Sequence, residues 1–529
     1  MNNNKTDRNI QRILIVVLII IVNLLSIYLF FKIDLTKNKS YTLSDSTRKG
    51  LKFIKEPVHI KLFFSKNLPP QLMVIKTYVK DLLTEYQSYS KGKIIFEFVT
   101  GDDEKFKKLA KVSEIPSMTI QVMENDKMEY RDIYIGMSLS YDKRIETLPF
   151  VTSTVGLEYQ ISTAIKRLVN PGLKNVAYFT PISFEESKKY DDLPDDPNVG
   201  FMKGLLSANY NVDRTDLFFP LPENTDLLIV SGIQDSLHEV QLYLLDQYMM
   251  TGKPLLIFQD RYSASLNIDN AALLNTNIIQ LLFHNSIYIK PNLLLDSFCY
   301  QITKNRKQGE YTVPVSFNYP FFPIYQNLNK EHPITNKIDF LQSAYVSELF
   351  YKQMPGLSFV PLVSTSYNSG DKMGKEIETS YLPFQNQDLT NTLSSEPKVV
   401  AGLYKGAFTS FFKNRTMRAK NYKEKGKPCE VIVAASNSFV NNDFLSNIKG
   451  NSEFLLNSVD YLCKNPGLID MRSRELLFSP IRDSRESERL NAKILNFVLP
   501  VLLLLLLPLF SFITKQRKKD DLKSLFKKD

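Results

Sequence analysis

Asp226-Leu227-Leu228-Ile229-Val230-Ser231-Gly232 is the stretch whose reading decides the fold. Its apolar run is unbroken and closes on a small polar residue and a glycine, the pattern of a strand buried on both faces. Leu255-Leu256-Ile257-Phe258 repeats it after the turn Gly252-Lys253-Pro254. Between the two, Leu237, Val240, Leu244, Leu245 and Tyr248 mark out a helical stripe. Upstream, residues 176–179 form another apolar run, followed by a helix near 201–208 and a strand near 210–214. Strands alternating with helices in this way predict a parallel sheet. Ligands of such sheets lie beyond the strand carboxyl ends. That places Ser231 and Gly232, and Gln259-Asp260-Arg261, as candidate ligand or partner contacts.

Outward from this unit, taken as residues 173–292, the chain reads as α/β on both sides. A first α/β domain covers 32–172: Val58, Ile60, Leu62 and Phe64 alternate as a half-buried strand, and Leu72, Ile75, Val79, Leu82, Leu83 and Tyr86 line one helix face. A β-rich α/β continuation covers 293–471, and a charged linker covers 472–493.

Both ends carry long uncharged apolar runs, at 13–31 and 494–513. At 1.5 Å of rise per residue, a helix of either length crosses roughly 30 Å of hydrocarbon. Lys5, Arg8 and Arg12 precede the first run, and Lys515, Arg517, Lys518 and Lys519 follow the second. The positive-inside bias then puts the amino-terminal segment 1–12 and the basic tail 514–529 in the cytoplasm, with the middle outside. The expected class is therefore a two-span bacterial inner-membrane protein with a large periplasmic α/β region, in contact with membrane lipid. Asn23, Pro500 and Pro508 are its candidate helix-packing positions.

The formal charge of +10 is partly the tail, so it is not by itself a nucleic-acid signal, and no nucleic acid is expected as partner. Residues 413–427 hold seven basic residues against one Glu, including Lys413, Arg415 and Arg418. They suit acidic head groups, an anionic glycan or an acidic envelope protein, or simply a solvated loop. Cys299, Cys429 and Cys463 are too few and too scattered for a disulfide framework or a zinc knuckle. The G-x-x-x-x-G-K-[ST], G-x-S-x-G and H-E-x-x-H patterns are missing, and the four histidines stand far apart. No catalytic residue, cofactor or metal is expected. The alternative is an amidotransferase-like hydrolase using Ser231 or Asp260, for which the sequence nominates no base. A structural envelope scaffold without an ATPase is the other alternative.

A set of collinear motifs resembles gliding-motility-associated ABC transporter auxiliary proteins of the GldG type. They are Ile33-Asp34-Leu35-Thr36, Tyr41-Thr42-Leu43-Ser44, Leu82-Leu83-x-Glu85-Tyr86, Thr163-Ala164-Ile165, the Asp226-to-Gly232 strand, His332-Pro333-Ile334-Thr335, Thr365-Ser366, Val431-Ile432-Val433 and Phe454-Leu455-Leu456-Asn457-Ser458-Val459-Asp460-Tyr461-Leu462. The resemblance implies a non-enzymatic subunit working with an ABC permease subunit and a cytoplasmic ATPase subunit, with a ligand-binding or scaffold module similar to intraflagellar-transport-like domains. The chain departs at Ser436-Asn437-Ser438-Phe439, where the family often has an acidic residue before the Phe.

Overall fold

Ser44 opens the helix Asp45–Leu51 by accepting the Thr47 amide proton on its hydroxyl, which satisfies one of the donors a helix start leaves unpaired. The computed structural model describes residues 42–472, save 125–126, 155, 170–171, 190–192, 309–310, 354, 385–388, 390–392 and 416–420. β1 (Val58–Phe64) and β2 (Ile94–Thr100) run parallel, joined by the helix Pro70–Tyr89. A hairpin of β3 (Met118–Glu124) and β4 (Lys127–Ile133) leads into β5 (Ile135–Tyr141) and β6 (Arg144–Leu148). The sheet order is β2-β1-β5-β6, with β5 antiparallel to both neighbours. Val79, Leu83 and Tyr86 of the long helix share one buried core with Leu157, Ile161 and Leu168 of the helix Leu157–Val169.

The larger sheet is built from β7 (Lys174–Phe179), β8 (Tyr210–Thr215), β9 (Thr225–Ser231), β10 (Leu255–Phe258), β11 (Asn327–Leu328), β12 (Leu357–Ser364), β13 (Val399–Thr409) and β14 (Lys425–Ala434). Its order is β11-β12-β13-β14-β10-β9-β7-β8. Five strands, β8, β7, β9, β10 and β14, run parallel; β13, β12 and β11 then continue antiparallel. The connection β7 to β8, through the helix Gly200–Ser207, moves one way across the sheet. The connection β9 to β10, through the helix Glu239–Met250, moves the other way. Right-handed crossovers therefore put these two helices on opposite faces, and the order reverses between β7 and β9. Every residue of β10 is buried, as are the last five of β9. That is the burial an unbroken apolar run calls for.

Residues between β10 and β13 also leave the sheet to build a cap with its own aromatic core around Tyr319, Phe321, Phe322 and Tyr345. Its main feature is the long hairpin of Cys299–Gln308 and Tyr311–Tyr325.

The two-span class expected from the sequence is corrected here. Among the described residues no helix is long and apolar enough to cross a membrane. The longest of them, Pro70–Tyr89, has the length but carries Lys76, Lys80, Asp81 and Glu85, whose charges belong in water. The expected inner-membrane localisation, with cytoplasmic termini and a periplasmic middle, is overturned by the same finding. The runs 13–31 and 494–513, with Asn23, Pro500 and Pro508, lie outside the described residues.

Candidate functional site

The carboxyl ends of β9, β10 and β14 emerge at one level because Phe258 stands opposite Ser231 on one side and Ala434 on the other. Gly232 then turns the chain with φ at 74°, a left-handed conformation that a side chain would strain. Gln259, fully buried, donates through Nε2 to the carbonyls of Ile233 (2.7 Å) and Asp260 (2.8 Å), tying two loops together.

Asp260 Oδ1 accepts from the Asn437 amide at 2.8 Å and from Ser436 Oγ at 3.1 Å. This contact joins the ends of β10 and β14. Part of the Asp260 surface opens on a cavity, while protein encloses the rest. Burial pushes its carboxyl up to about 6, against the pull of those two donors. Between its ordinary value and 6 the folded chain holds more protons than the unfolded one, so stability falls as pH rises through that window. Asp260→Asn keeps the acceptor and removes the charge. Discounted for partial exposure, it should stabilise by about 1–2 kcal/mol at pH 8. The gain should vanish by about pH 4, where the wild-type carboxyl is already protonated in the folded state. Thermal melts of both proteins across that range check this, and a gain that does not depend on pH would count against it.

The cavity holds about 590 Å³, within the range of small-molecule sites. Asp260, Asn437 and Ser438 line it from the sheet, and Tyr262, Phe322, Gln342, Ala344 and Tyr345 from the cap. Asn441, Asp443 and Phe444 add a third side around the start of the helix Asn442–Asn447. Ser436 and Ser438 hold the cap wall in place. Ser438 Oγ accepts from the Ala344 amide at 2.8 Å, and Ser436 Oγ lies 2.9 Å from the Ala344 carbonyl. Among the described residues no Lys, Arg or His lines the cavity. The Asn437 Oδ1 atom is buried with no hydrogen-bond partner among the described residues.

The structure brings some of the sequence candidates together and separates others. Asp260 lines the cavity; Gly232 does not, although a Cβ added there would stand 3.9 Å from Nδ2 of Asn437, which does. Ser231 is buried just behind, its Oγ without a partner among the described residues. Arg261 turns away, donating from Nη1 to the Leu274 carbonyl. Lys413 pairs with Glu424 at 3.0 Å, and the Arg415 guanidinium lies 4.0 Å over the Phe411 ring. Arg418 lies outside the described residues. Asp246, fully buried, anchors that basic segment by accepting from Ser410 Oγ at 2.6 Å and the Phe411 amide at 2.8 Å. Sequence reasoning missed Gln342, Tyr345, Asn441 and Asp443. Only the Asn441-Asn442-Asp443 run, a helix-cap signal, could have drawn attention.

The three cysteines are free thiols, pushed up to about 12 by burial. Among the described residues no group of three or more His, Cys, Asp or Glu could hold a metal ion.

An uncharacterized protein of Borreliella burgdorferi is 22% identical over 509 residues, covering 92% of this chain and 94% of the relative. Among solved structures, the mmIFT52 N-terminal domain is 12% identical at a TM-score of 0.31, covering 55% of this chain and 97% of that one. A putative ThuA-like protein from Parabacteroides merdae is 13% identical at a TM-score of 0.26, covering 55% of this chain and 90% of that one. Likenesses of that size define no shared architecture. Residues 37–140 match a family described as a domain of unknown function (DUF7088). A second match covers residues 187–459, just over half of the 529 residues and the whole of the sheet from β8 to β14. By that match the chain belongs to the family described as an ABC-type uncharacterized transport system, as an auxiliary protein associated with transporter components.

Proposed function

We propose that this chain is a GldG-type auxiliary subunit that holds a ligand in the cavity at the strand carboxyl ends, beside an ABC permease subunit and an ATPase subunit. The observation that carries the reading is positional. The family match spans 187–459, and every residue lining the cavity falls within it.

The chain does no covalent chemistry in this reading. A serine nucleophile needs a base within hydrogen-bond reach, and Ser231 Oγ has no partner among the described residues. The histidines serve elsewhere. His59 lies on β1, His238 caps the helix Glu239–Met250, and His284 Nε2 lies 3.4 Å from Thr409 Oγ1. His332 packs against Tyr461 with the rings tilted by 56°, and it is pushed down to about 4, chiefly by burial.

The test is affinity purification of the full chain from its native cells under mild detergent. Permease and ATPase subunits of one transporter should co-elute in constant proportion. Repeated recovery of the chain without either would sink the proposal.

A further inference from the structure

The cavity's own chemistry narrows what it can hold, on the reading that it is the ligand site of an auxiliary subunit. Among the described residues the charged groups of its wall are acidic, Asp260 and Asp443, with no Lys, Arg or His. An anionic ligand would meet repulsion from both carboxylates, with only neutral amide donors to offset its lost hydration. A cation would find acceptors, but it would leave amide donors unmatched, since it has only donors to offer.

The polar groups left open are of mixed kind. Asp260 Oδ2 bonds no described protein group, because both donors to this carboxylate go to Oδ1. The Asn437 side chain has a buried Oδ1 without a partner among the described residues, and its Nδ2 lies 3.9 Å from a Cβ added at Gly232. Gln342 borders the same space. A hydroxyl group donates and accepts at once, so a ligand rich in hydroxyls satisfies carboxylate, amide oxygen and amide nitrogen together. Around them stand aromatic rings. Tyr300, half-exposed, lines the cavity, as do Phe322 and Tyr345, which pack edge to face with ring centroids 5.3 Å apart. Such rings suit the apolar C–H face of a sugar.

We propose that this cavity binds a neutral saccharide, with Asp260, Asn437 and Gln342 bonding its hydroxyls and Tyr300 covering one ring face. Specificity comes from the amide and carboxylate pair, because an analogue that leaves them buried and unbonded carries their desolvation cost.

The full chain is titrated calorimetrically with tetrasaccharides of glucose, N-acetylglucosamine, mannose and galactose, beside spermidine, a pool of neutral tripeptides and inorganic phosphate. At least one tetrasaccharide should bind with one-to-one stoichiometry. Asn437→Ala and Tyr300→Ala should each weaken it tenfold or more. Tyr300→Ala should leave the melting temperature unchanged, which separates lost contact from lost fold. Binding by none of the saccharides, binding that survives both substitutions, or binding of spermidine or tripeptides in their place overturns the assignment. A chain that binds no sugar yet co-purifies with transporter subunits leaves the transport reading standing. A chain that binds sugar and co-purifies with no subunit overturns that reading and leaves the saccharide assignment.

Discussion

Replacing Arg472 with methionine should destabilise the folded chain by about 3–5 kcal/mol, the range expected when one partner of a buried ion pair is removed. The Arg472 side chain is 6% exposed, and Asp460, its partner at 2.7 Å, is fully buried. The same guanidinium reaches Asn457 Oδ1 through Nη1 and the Tyr159 hydroxyl at 3.1 Å through Nη2, lying 4.9 Å over that ring. Tyr210 donates to the other Asp460 oxygen at 2.5 Å. Burial pushes the Asp460 carboxyl upward, and Arg472 is the largest force opposing it. Without the guanidinium a desolvated carboxylate remains, and it is relieved only by taking a proton.

The loss would spread further than one contact. Tyr159 sits on the helix Leu157–Val169 of the first sheet's core, while Asn457 and Asp460 sit on the helix Lys449–Leu462 against the second. Asn209, just before β8, also donates to the Tyr159 hydroxyl at 2.6 Å. Urea unfolding followed by circular dichroism measures the loss, and a cost under about 1 kcal/mol would show that the network is solvated. Asp460→Leu added to Arg472→Met should recover a large part of the stability, since no unpaired charge then stays buried.

Gly450→Ala should cost about 3 kcal/mol, at the upper end of overpacking effects. A Cβ on Gly450 would stand 1.9 Å from the Phe340 carbonyl oxygen and 3.2 Å from Ile338 Cγ2. The clash is with backbone, which has no rotamer to yield. The approach is held close by the next residue. Asn451 Oδ1 accepts from the Gln342 amide at 3.0 Å, and Asn451 Nδ2 donates to the Gln342 carbonyl at 2.8 Å, much as a neighbouring strand would. Because Gln342 lines the cavity, the substitution should weaken ligand binding as well as lower the melting temperature. A variant with wild-type stability would mean that the segment Ile338–Gln342 shifts freely, contrary to the bonds that Asn451 makes.

Several elements were legible because their cause is local. The run from Leu227 to Val230 and the run from Leu255 to Phe258 became β9 and β10 as the apolar pattern required. The stripe through Val240, Leu244 and Tyr248 became the helix Glu239–Met250, and the turn at Gly232 was marked by its glycine. Of the site, Asp260 was legible from its place after an apolar strand, and Arg261, one residue on, was not separable from it. Which of the two faces the cavity depends on the Leu274 carbonyl that captures the arginine, and nothing near Arg261 announces that contact. Asn437 read only as a departure from a family pattern. Its role comes from meeting Asp260 across 177 positions of chain.

The sequence by itself determined the central strands and helices of the larger sheet, because burial period, caps and turns act over a few neighbouring residues. The break between β4 and β5 and the full length of the cap hairpin were not legible in it. The lack of G-x-x-x-x-G-K-[ST], G-x-S-x-G and H-E-x-x-H patterns was also readable there, since motif spacing is a property of the chain. Only the tertiary structure decided that β14 lies against β10 and that the cap's Gln342 and Tyr345 face Asp260 and Asn437. The apolar faces of several strands could pair equally well by pattern. The choice among them rests on which arrangement closes one continuous core at acceptable loop entropy, and no local stretch records that.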